Sequence, residues 1–513
     1  MKPESFLRGA FVLTAAGIVV KLLGAVYRIP FTRLVGSEGI GLYQMAYPIY
    51  TTLLAISTAG IPVAVSLLVA EKVSLGDRGG ARQIFYISLV FLFLLGSLMA
   101  VGLYGAAPYL AQRVLGDARA YYSLVAVTPA VLVISVVSAF RGYFQGWQLM
   151  FPTAISEVVE QVIRVGTVLL AAWVLAPRGV EYAAAGAAFG TFTGGCGGLL
   201  ILVFMFLWIE RKSKTDRTRS GLLCSQTIPL LKRLIAYAFP ISAGALVLPL
   251  VQVIDTVIIP NRLQVAGFTI HEATSLFGQL AGMAGTVVYL PAIFTISIAM
   301  ALVPHLAAAN SRSNRAEVNR RISAALRITV LLCLPAAAGL MFLATPIMEL
   351  LFNDTAAGVV AAWLSPAALF AGLQQTTAGA LQGIGNTWLP VVTLMAGCLV
   401  KIICNYHLTV LPGLGVKGAA FGSALGFFLV FLLNLFFLTR FTDYRPQLSR
   451  LLRPLLAVTM MVMVIPATYS ILCPLGNLMA TGLTIICGAA VYFAVLLLTG
   501  EIRIYDLRHI LRR

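Results

Sequence analysis

Pro129 is followed by Gly142-Tyr143-Phe144-Gln145-Gly146 and then Pro152; Pro366 is followed by Gly379-Ala380-Leu381-Gln382-Gly383 and then Pro390. The two stretches keep the same spacing apart from one inserted residue, and they have company. Gly186-Ala187-Ala188-Phe189-Gly190-Thr191 is echoed by Gly418-Ala419-Ala420-Phe421-Gly422-Ser423. Ile61-Pro62-Val63-Ala64-Val65-Ser66-Leu67-Leu68-Val69 resembles Ile296-Ser297-Ile298-Ala299-Met300-Ala301-Leu302-Val303. The offsets stay between 232 and 237 residues at three widely separated places. Apolar sequence matches itself by chance, but Pro, Gly and Gln at fixed spacing do not recur that easily. One unit is written twice.

The composition around these stretches says what the unit is made of. Of 513 residues, 60% are hydrophobic and 11% charged, with a mean hydropathy of +0.94. Soluble domains run at roughly half apolar and a quarter charged, so large water-solvated domains are excluded. Division at charged or Pro/Gly/Asn-rich turns leaves fourteen apolar segments, near 6–33, 40–70, 83–111, 120–145, 152–176, 182–209, 229–259, 273–307, 321–348, 356–383, 388–411, 416–439, 453–472 and 476–500. Each reaches the length of about 20 residues that a membrane helix needs. Two long uncharged runs are cut by turn signals, Gly383-Ile384-Gly385-Asn386 and Pro474-Leu475-Gly476-Asn477. No two-residue alternation suggests barrel strands. The seven cysteines form no CxxC pair, so neither a zinc site nor a disulfide scaffold is expected, and no cofactor or metal is indicated.

Charge orients the segments. The chain holds 36 Lys+Arg against 18 Asp+Glu, a net +18, spread over short loops rather than gathered on a nucleic-acid-binding face. With a cytoplasmic N-terminus, 25 basic residues fall on the termini and even-numbered loops and six on the odd-numbered loops. The other five (Lys21, Arg28, Arg164, Arg327, Lys401) lie within spans. A miscounted helix would scramble this alternation, so fourteen spans with both ends cytoplasmic is the expectation. No cleavable signal peptide is expected.

The expected fold is an all-α integral membrane protein: two six-helix bundles related by a pseudo-two-fold along the membrane normal, plus two C-terminal helices. By residue, 1–209 is the first bundle, 210–228 a basic cytoplasmic linker, 229–440 the second bundle, and 441–513 the added helices and a cytoplasmic tail. Six is even, so both copies share an orientation. Two such bundles around a central cavity that opens to either side make a transporter.

Particular residues then resemble a known family. Phe6-Leu7-Arg8-Gly9-Ala10, Lys21-Leu22-Leu23-Gly24, Tyr27-Arg28-Ile29, Arg33-Leu34-Val35-Gly36 and Glu38-Gly39-Ile40-Gly41-Leu42-Tyr43 are similar to the stage V sporulation protein B family. So are Gly60–Ser66, Glu160-Gln161-Val162-Ile163-Arg164, Ile254-Asp255-Thr256 with Ile259–Leu263, and Lys401-Ile402-Ile403-Cys404-Asn405-Tyr406. The resemblance covers nearly the whole chain. It places the protein in the multidrug/oligosaccharidyl-lipid/polysaccharide export superfamily, which includes lipid II flippases. It implies movement of an undecaprenyl-pyrophosphate-linked sugar, lipid II or a similar unit such as one for spore cortex, across a bacterial inner membrane. The lipid II flippases also carry arginines in the second and eighth spans; here the second span is uncharged between Glu38 and Glu71, and the eighth has only His305.

A charge inside a span normally faces a cavity or a partner. A pyrophosphate-linked cargo is anionic, arginine grips phosphate bidentately, and lysine acts as a point charge. Lys21 and Arg28 are two helical turns apart and are expected on one face of the first span, toward the cavity; the alternative is that Arg28, with Arg33, snorkels to the headgroups. Glu157, Glu160, Gln161 and Arg164 share one face of the fifth span, either as cargo-binding wall or as a Glu160–Arg164 pair that joins helices. Asp255, Lys401 and Asn405 lie in the seventh and eleventh spans, the region that resembles a cation site in related flippases. Either Lys401 neutralises Asp255, or Asp255 couples transport to protons or sodium.

Rival functions need other chemistry. A membrane glycosyltransferase needs a positioned base or metal ligands, but the four histidines are scattered and no DxD or HxxxH cluster occurs. A multidrug/cation antiporter of the same superfamily is the alternative, for which twelve helices and an anionic first bundle are expected. Fourteen spans with intramembrane cations suit an anionic lipid-linked cargo better.

Overall fold

The computed structural model describes residues 6–58, 60–212 and 224–501. Residues 213–223 of the expected basic linker and 502–513 of the expected tail lie outside the described residues.

The described chain is helical throughout, with no strand. In order the helices are α1 (Phe6–Val26), α2 (Arg28–Thr58), α3 (Ile61–Ser74), α4 (Arg78–Tyr109), α5 (Ala120–Gly146), α6 (Met150–Leu175) and α7 (Val180–Lys212). They continue with α8 (Cys224–Val265), α9 (Ile270–Phe277), α10 (Gly285–Val288), α11 (Pro291–Ser311), α12 (Arg315–Phe342) and α13 (Ala344–Phe352). The last are α14 (Ala356–Leu364), α15 (Pro366–Gly383), α16 (Leu389–Leu408), α17 (Val416–Phe441), α18 (Leu452–Leu472) and α19 (Asn477–Leu498). Among the described residues, thirteen stretches are long and apolar enough to cross a membrane. The first, Val12–Ser74, has 63 residues. At 1.5 Å per residue it is about 95 Å long against a hydrocarbon core of roughly 30 Å, so it holds more than one crossing and the count is compatible with fourteen. Gly36 breaks it where the first turn is expected, with φ 69° and ψ −176°.

Breaks without a charge to mark them are where the structure departs from the expected segments. Residues 273–307 form α9, a wide π-turn over Gly278–Ala284, α10 and α11 rather than one span. The segment 356–383 stands as one candidate span, Ala356–Gly383, with a one-residue break at Ser365 between α14 and α15, because Pro366 cannot donate back to the preceding turn. Pro30 acts similarly: α1 gives way to α2 at Tyr27, while hydrogen bonds from Tyr27 N to Leu23 O and from Phe31 N to Tyr27 O carry the helical backbone across, so Lys21 and Arg28 lie on either side of a one-residue break.

The chain forms two compact units, Met1–Asn261 with Ile270–Gly278, and Arg262–Thr269 with Gln279–Arg513. Compactness groups most of α8 with the first unit, whereas the sequence repeat groups it with the second copy. Within each unit the repeated glycines do the same work. A Cβ on Gly142 of α5 would lie 2.8 Å from Pro62 O of α3, and one on Gly146 would meet Val69. In the second unit Gly379 of α15 approaches Ala299 of α11 and Gly383 approaches Val303. The core around α3, α4 and α5 is apolar and aromatic, with Phe85 edge-on to Phe140 and tilted against Tyr143 and Phe206. The second unit has a matching core on α11, α12 and α15, and a separate one where α18 and α19 pack on α12.

Candidate functional site

α6 brings a carboxylate and a guanidinium together one turn apart. Arg164 Nη2 donates to Glu160 Oε1 at 2.6 Å. The other Glu160 oxygen accepts from Arg141 Nη2 of α5 at 2.9 Å, and Arg141 also reaches Ser156 Oγ at 3.2 Å. All three charged side chains are less than a fifth exposed. The Ser156 hydroxyl donates onward to Gly198 O of α7. Arg141 was not among the expected site residues: the charge count gives it to the loop before Pro152, but α5 runs on to Gly146 and carries it into the bundle. The expected Glu160–Arg164 pair is present, and it is one half of a triad.

A tyrosine stripe faces the triad. Tyr43, Tyr47 and Tyr50 follow helical spacing on α2, with ring centroids 5.6 and 5.9 Å apart along the series. All three lie within electrostatic range of Arg164, and Tyr43 and Tyr47 also lie near Arg28. Tyr27 and Tyr43 hydroxyls are 3.4 Å apart. Arg28 and Arg164, distant in sequence, therefore share one aromatic wall. Its 43/47/50 spacing is legible in the sequence and was the signal available. Lys21 is exposed on α1, Glu157 is half-buried beside the triad, and Gln161 is buried with its amide toward Gly24 of α1. Asp255 stands on α8 in the first unit; Lys401 and the buried Asn405 stand on α16 in the second.

A second polar cluster holds α9. Arg119 Nη2 donates to Asp117 Oδ2 at 2.7 Å, its Nη1 meets Glu38, and His271 Nδ1 of α9 lies 2.6 Å from Glu38 Oε1. Thr274 Oγ1 donates to Asp117 at 2.8 Å. Burial works to raise the Asp117 pKa, but the hydrogen bonds from Arg119 and Thr274 outweigh it and hold the carboxyl below its usual range. Beside it Ser37 and Ser275 hydroxyls are 2.6 Å apart, and a Cβ on Gly41 or Gly278 would overlap Thr274 O or Ser37 O. Backbone meets backbone there. Among the described residues no group of His, Cys, Asp and Glu could hold a metal ion.

Long apolar helices, a duplicated packing pattern and a buried ion network define a polytopic membrane transporter. The chain belongs to the polysaccharide biosynthesis protein family, which matches residues 6–267, and the MatE family matches residues 279–407. Stage V sporulation protein B of Bacillus subtilis (strain 168) is 32% identical over 439 residues, covering 85% of this chain and 83% of that one. Lipid II flippase MurJ of the same organism is 30% identical over 463 residues, covering 86% and 84%. Among solved structures, a lipid II flippase MurJ in an inward closed conformation shares the fold with TM-score 0.68 at 17% identity, over 94% of this chain and 98% of that one. An inward-facing multidrug resistance MATE family transporter of the MOP superfamily gives 0.66 at 17% identity, over 82% and 93%. The protein is thus a multi-pass bacterial membrane protein of the flippase and transporter class, not an enzyme.

Proposed function

We propose that this protein is an alternating-access flippase for an undecaprenyl-pyrophosphate-linked sugar precursor, lipid II or a similar unit, with both termini cytoplasmic. The observation that carries the reading is the charge of the first unit's interior. Arg28, Arg141 and Arg164 stand against Glu157 and Glu160 along one tyrosine wall, leaving an excess of guanidinium for a phosphate to neutralise. Lys21, Arg28 and Arg164 bind the cargo, and Glu157 and Glu160 orient the arginines. The names of MurJ and stage V sporulation protein B support a lipid-linked and sporulation-related cargo. Asp255, Lys401 and Asn405 are the coupling residues, to protons or to sodium. The halves that alternate follow the sequence repeat, 1–209 and 229–440.

Two carboxylates in the same wall favour one second reading, a cation or multidrug antiporter. Reconstituted vesicles separate the two. Lipid-linked peptidoglycan precursor, a lipid-linked polysaccharide unit and a cationic dye are offered in parallel. Flipping of either lipid, abolished by Arg164→Ala and partly restored by Arg164→Lys, supports the proposal, since a point charge cannot reproduce the guanidinium fork. Dye efflux that survives Arg28→Ala and Arg164→Ala, with no lipid movement, overturns it.

A further inference from the structure

Asn319, Arg320, Ser323 and Arg327 lie at helical spacing on one stripe of α12, and Asp443 and Arg445 come from the extended segment after α17. Together they line a cavity of about 530 Å³ in the second unit. Its walls are fixed by contacts outside it. Arg315 Nη1 donates to Phe441 O at 2.6 Å, and Tyr444 is buried in the α11–α12–α15 core. Arg327 donates through Nε to Glu501 Oε1 at 2.7 Å, and Arg453 reaches the other Glu501 oxygen at 3.4 Å.

The cavity has chemistry of its own. Three guanidinium groups face one carboxylate among its lining residues. Arg327 shares its charge with Glu501 and Arg320 with Glu317. Asn319 and Ser323 add neutral polar side chains to the lining. In the sequence flanking the lining residues, Ile328, Phe441, Leu451 and Leu452 are exposed apolar side chains. A soluble phosphate would use only the first of these features. A choline headgroup would bring a positive charge of its own against three guanidinium groups.

We propose that this cavity binds the headgroup of an anionic phospholipid of the phosphatidylglycerol type. Arg320 and Arg445 take the phosphate, Asp443 accepts from the glycerol hydroxyls, and the acyl chains lie on Ile328 and Leu452. Basic pockets between membrane helices recognise anionic headgroups by this combination of charge and adjacent apolar surface. The site is separate from the arginine–tyrosine wall of the first unit and does not depend on the cargo.

The test titrates the purified full chain in detergent with phosphatidylglycerol, phosphatidylcholine or glycerol phosphate, reading lipid retention by native mass spectrometry and thermal midpoint. Each basic side chain near a lipid surface contributes a factor of about five, so Arg320→Gln with Arg445→Gln is expected to weaken phosphatidylglycerol about twenty-five-fold. Ser323→Phe fills the cavity without removing a charge and is expected to give a similar loss, which guards against misfolding of the double variant. Arg78→Gln with Arg211→Gln, the same charge change in the first unit, is expected to bind as the unaltered chain does. Equal stabilisation by phosphatidylcholine or by glycerol phosphate alone overturns the proposal. So does unchanged phosphatidylglycerol affinity in both cavity variants, or stabilisation by a lipid-linked pyrophosphate but not by phosphatidylglycerol.

Discussion

The α6–α7 pair and the α16–α17 pair are the same scaffold carrying different chemistry. On α7, Gly190, Gly194 and Gly198 recur every fourth residue; on α17, Gly418, Gly422 and Gly426 do. A Cβ on Gly194 would lie 2.6 Å from Glu160 O and 2.9 Å from Arg164 Cβ; one on Gly426 would lie 3.0 Å from Gly397 O and 3.1 Å from Lys401 Cβ. Arg164 and Lys401 therefore occupy the same station, 237 residues apart. One turn earlier the pairs diverge: Glu160 in the first unit, Gly397 in the second. The first unit's interior is built on ions. On the second pair's helices the described contacts include neutral hydrogen bonds, with Thr393 Oγ1 donating to Asn434 Oδ1 at 2.6 Å and the Asn434 amide reaching Thr377 Oγ1 at 3.2 Å. Duplication has kept the small-residue stripe that lets helix backbones approach, and has left the buried charges free to differ.

The largest effect expected from this contrast is at Glu160. Glu160→Ala strands two buried guanidinium groups and is expected to cost about 3–5 kcal/mol in a thermal or denaturant melt in detergent. A cost no larger than that of Asn434→Ala would show that the triad is not what holds α5 to α6. Next come the glycines that the two pairs share. Gly194→Ala and Gly426→Ala each overpack a helix contact, and each is expected to cost about 1–3 kcal/mol. Unequal costs would break the equivalence of the two scaffolds.

The pH dependence of the α9 cluster is a smaller effect, confined to the first unit. Asp117 is held below its usual pKa when folded, so its contribution is present above the unfolded carboxylate value and is lost as pH falls through the folded one. Proteolysis near α9 is expected to rise as pH falls below about 4. Asp117→Asn is expected to abolish that rise. The smallest effect is in the neutral network, where Thr393→Val is expected to cost about 0.6 kcal/mol, the mean for hydrogen bonds between membrane helices. A cost of several kcal/mol would mean that the second unit is no less polar in its energetics than the first.

What the sequence made legible were periodicities, and what it hid were interruptions and partners. The repeated glycines were readable because proline and glycine spacing survives where side chains drift, and they do lie at equivalent contacts. Glu160 and Arg164 were readable because i, i+4 spacing fixes a shared face on any helix. Arg141 was not, because a basic residue five positions from a helix end looks the same in sequence whether it faces headgroups or turns inward to a carboxylate on the next helix. The π-turn at Gly278–Ala284 leaves no trace in the sequence for a related reason: neither charge nor hydropathy changes there.

The contact between α2 and α9 offers a chemical handle. Ser37 and Ser275 already place their Oγ atoms 2.6 Å apart, on backbones that Gly41 and Gly278 allow to touch. Cysteines at both positions would put two sulfurs within bonding range, where a disulfide needs only about 2.05 Å between them. Oxidation would then weld α9 to α2 and reduction would free it, turning a pair of serines into a reversible brake whose setting is chosen by the redox potential of the buffer.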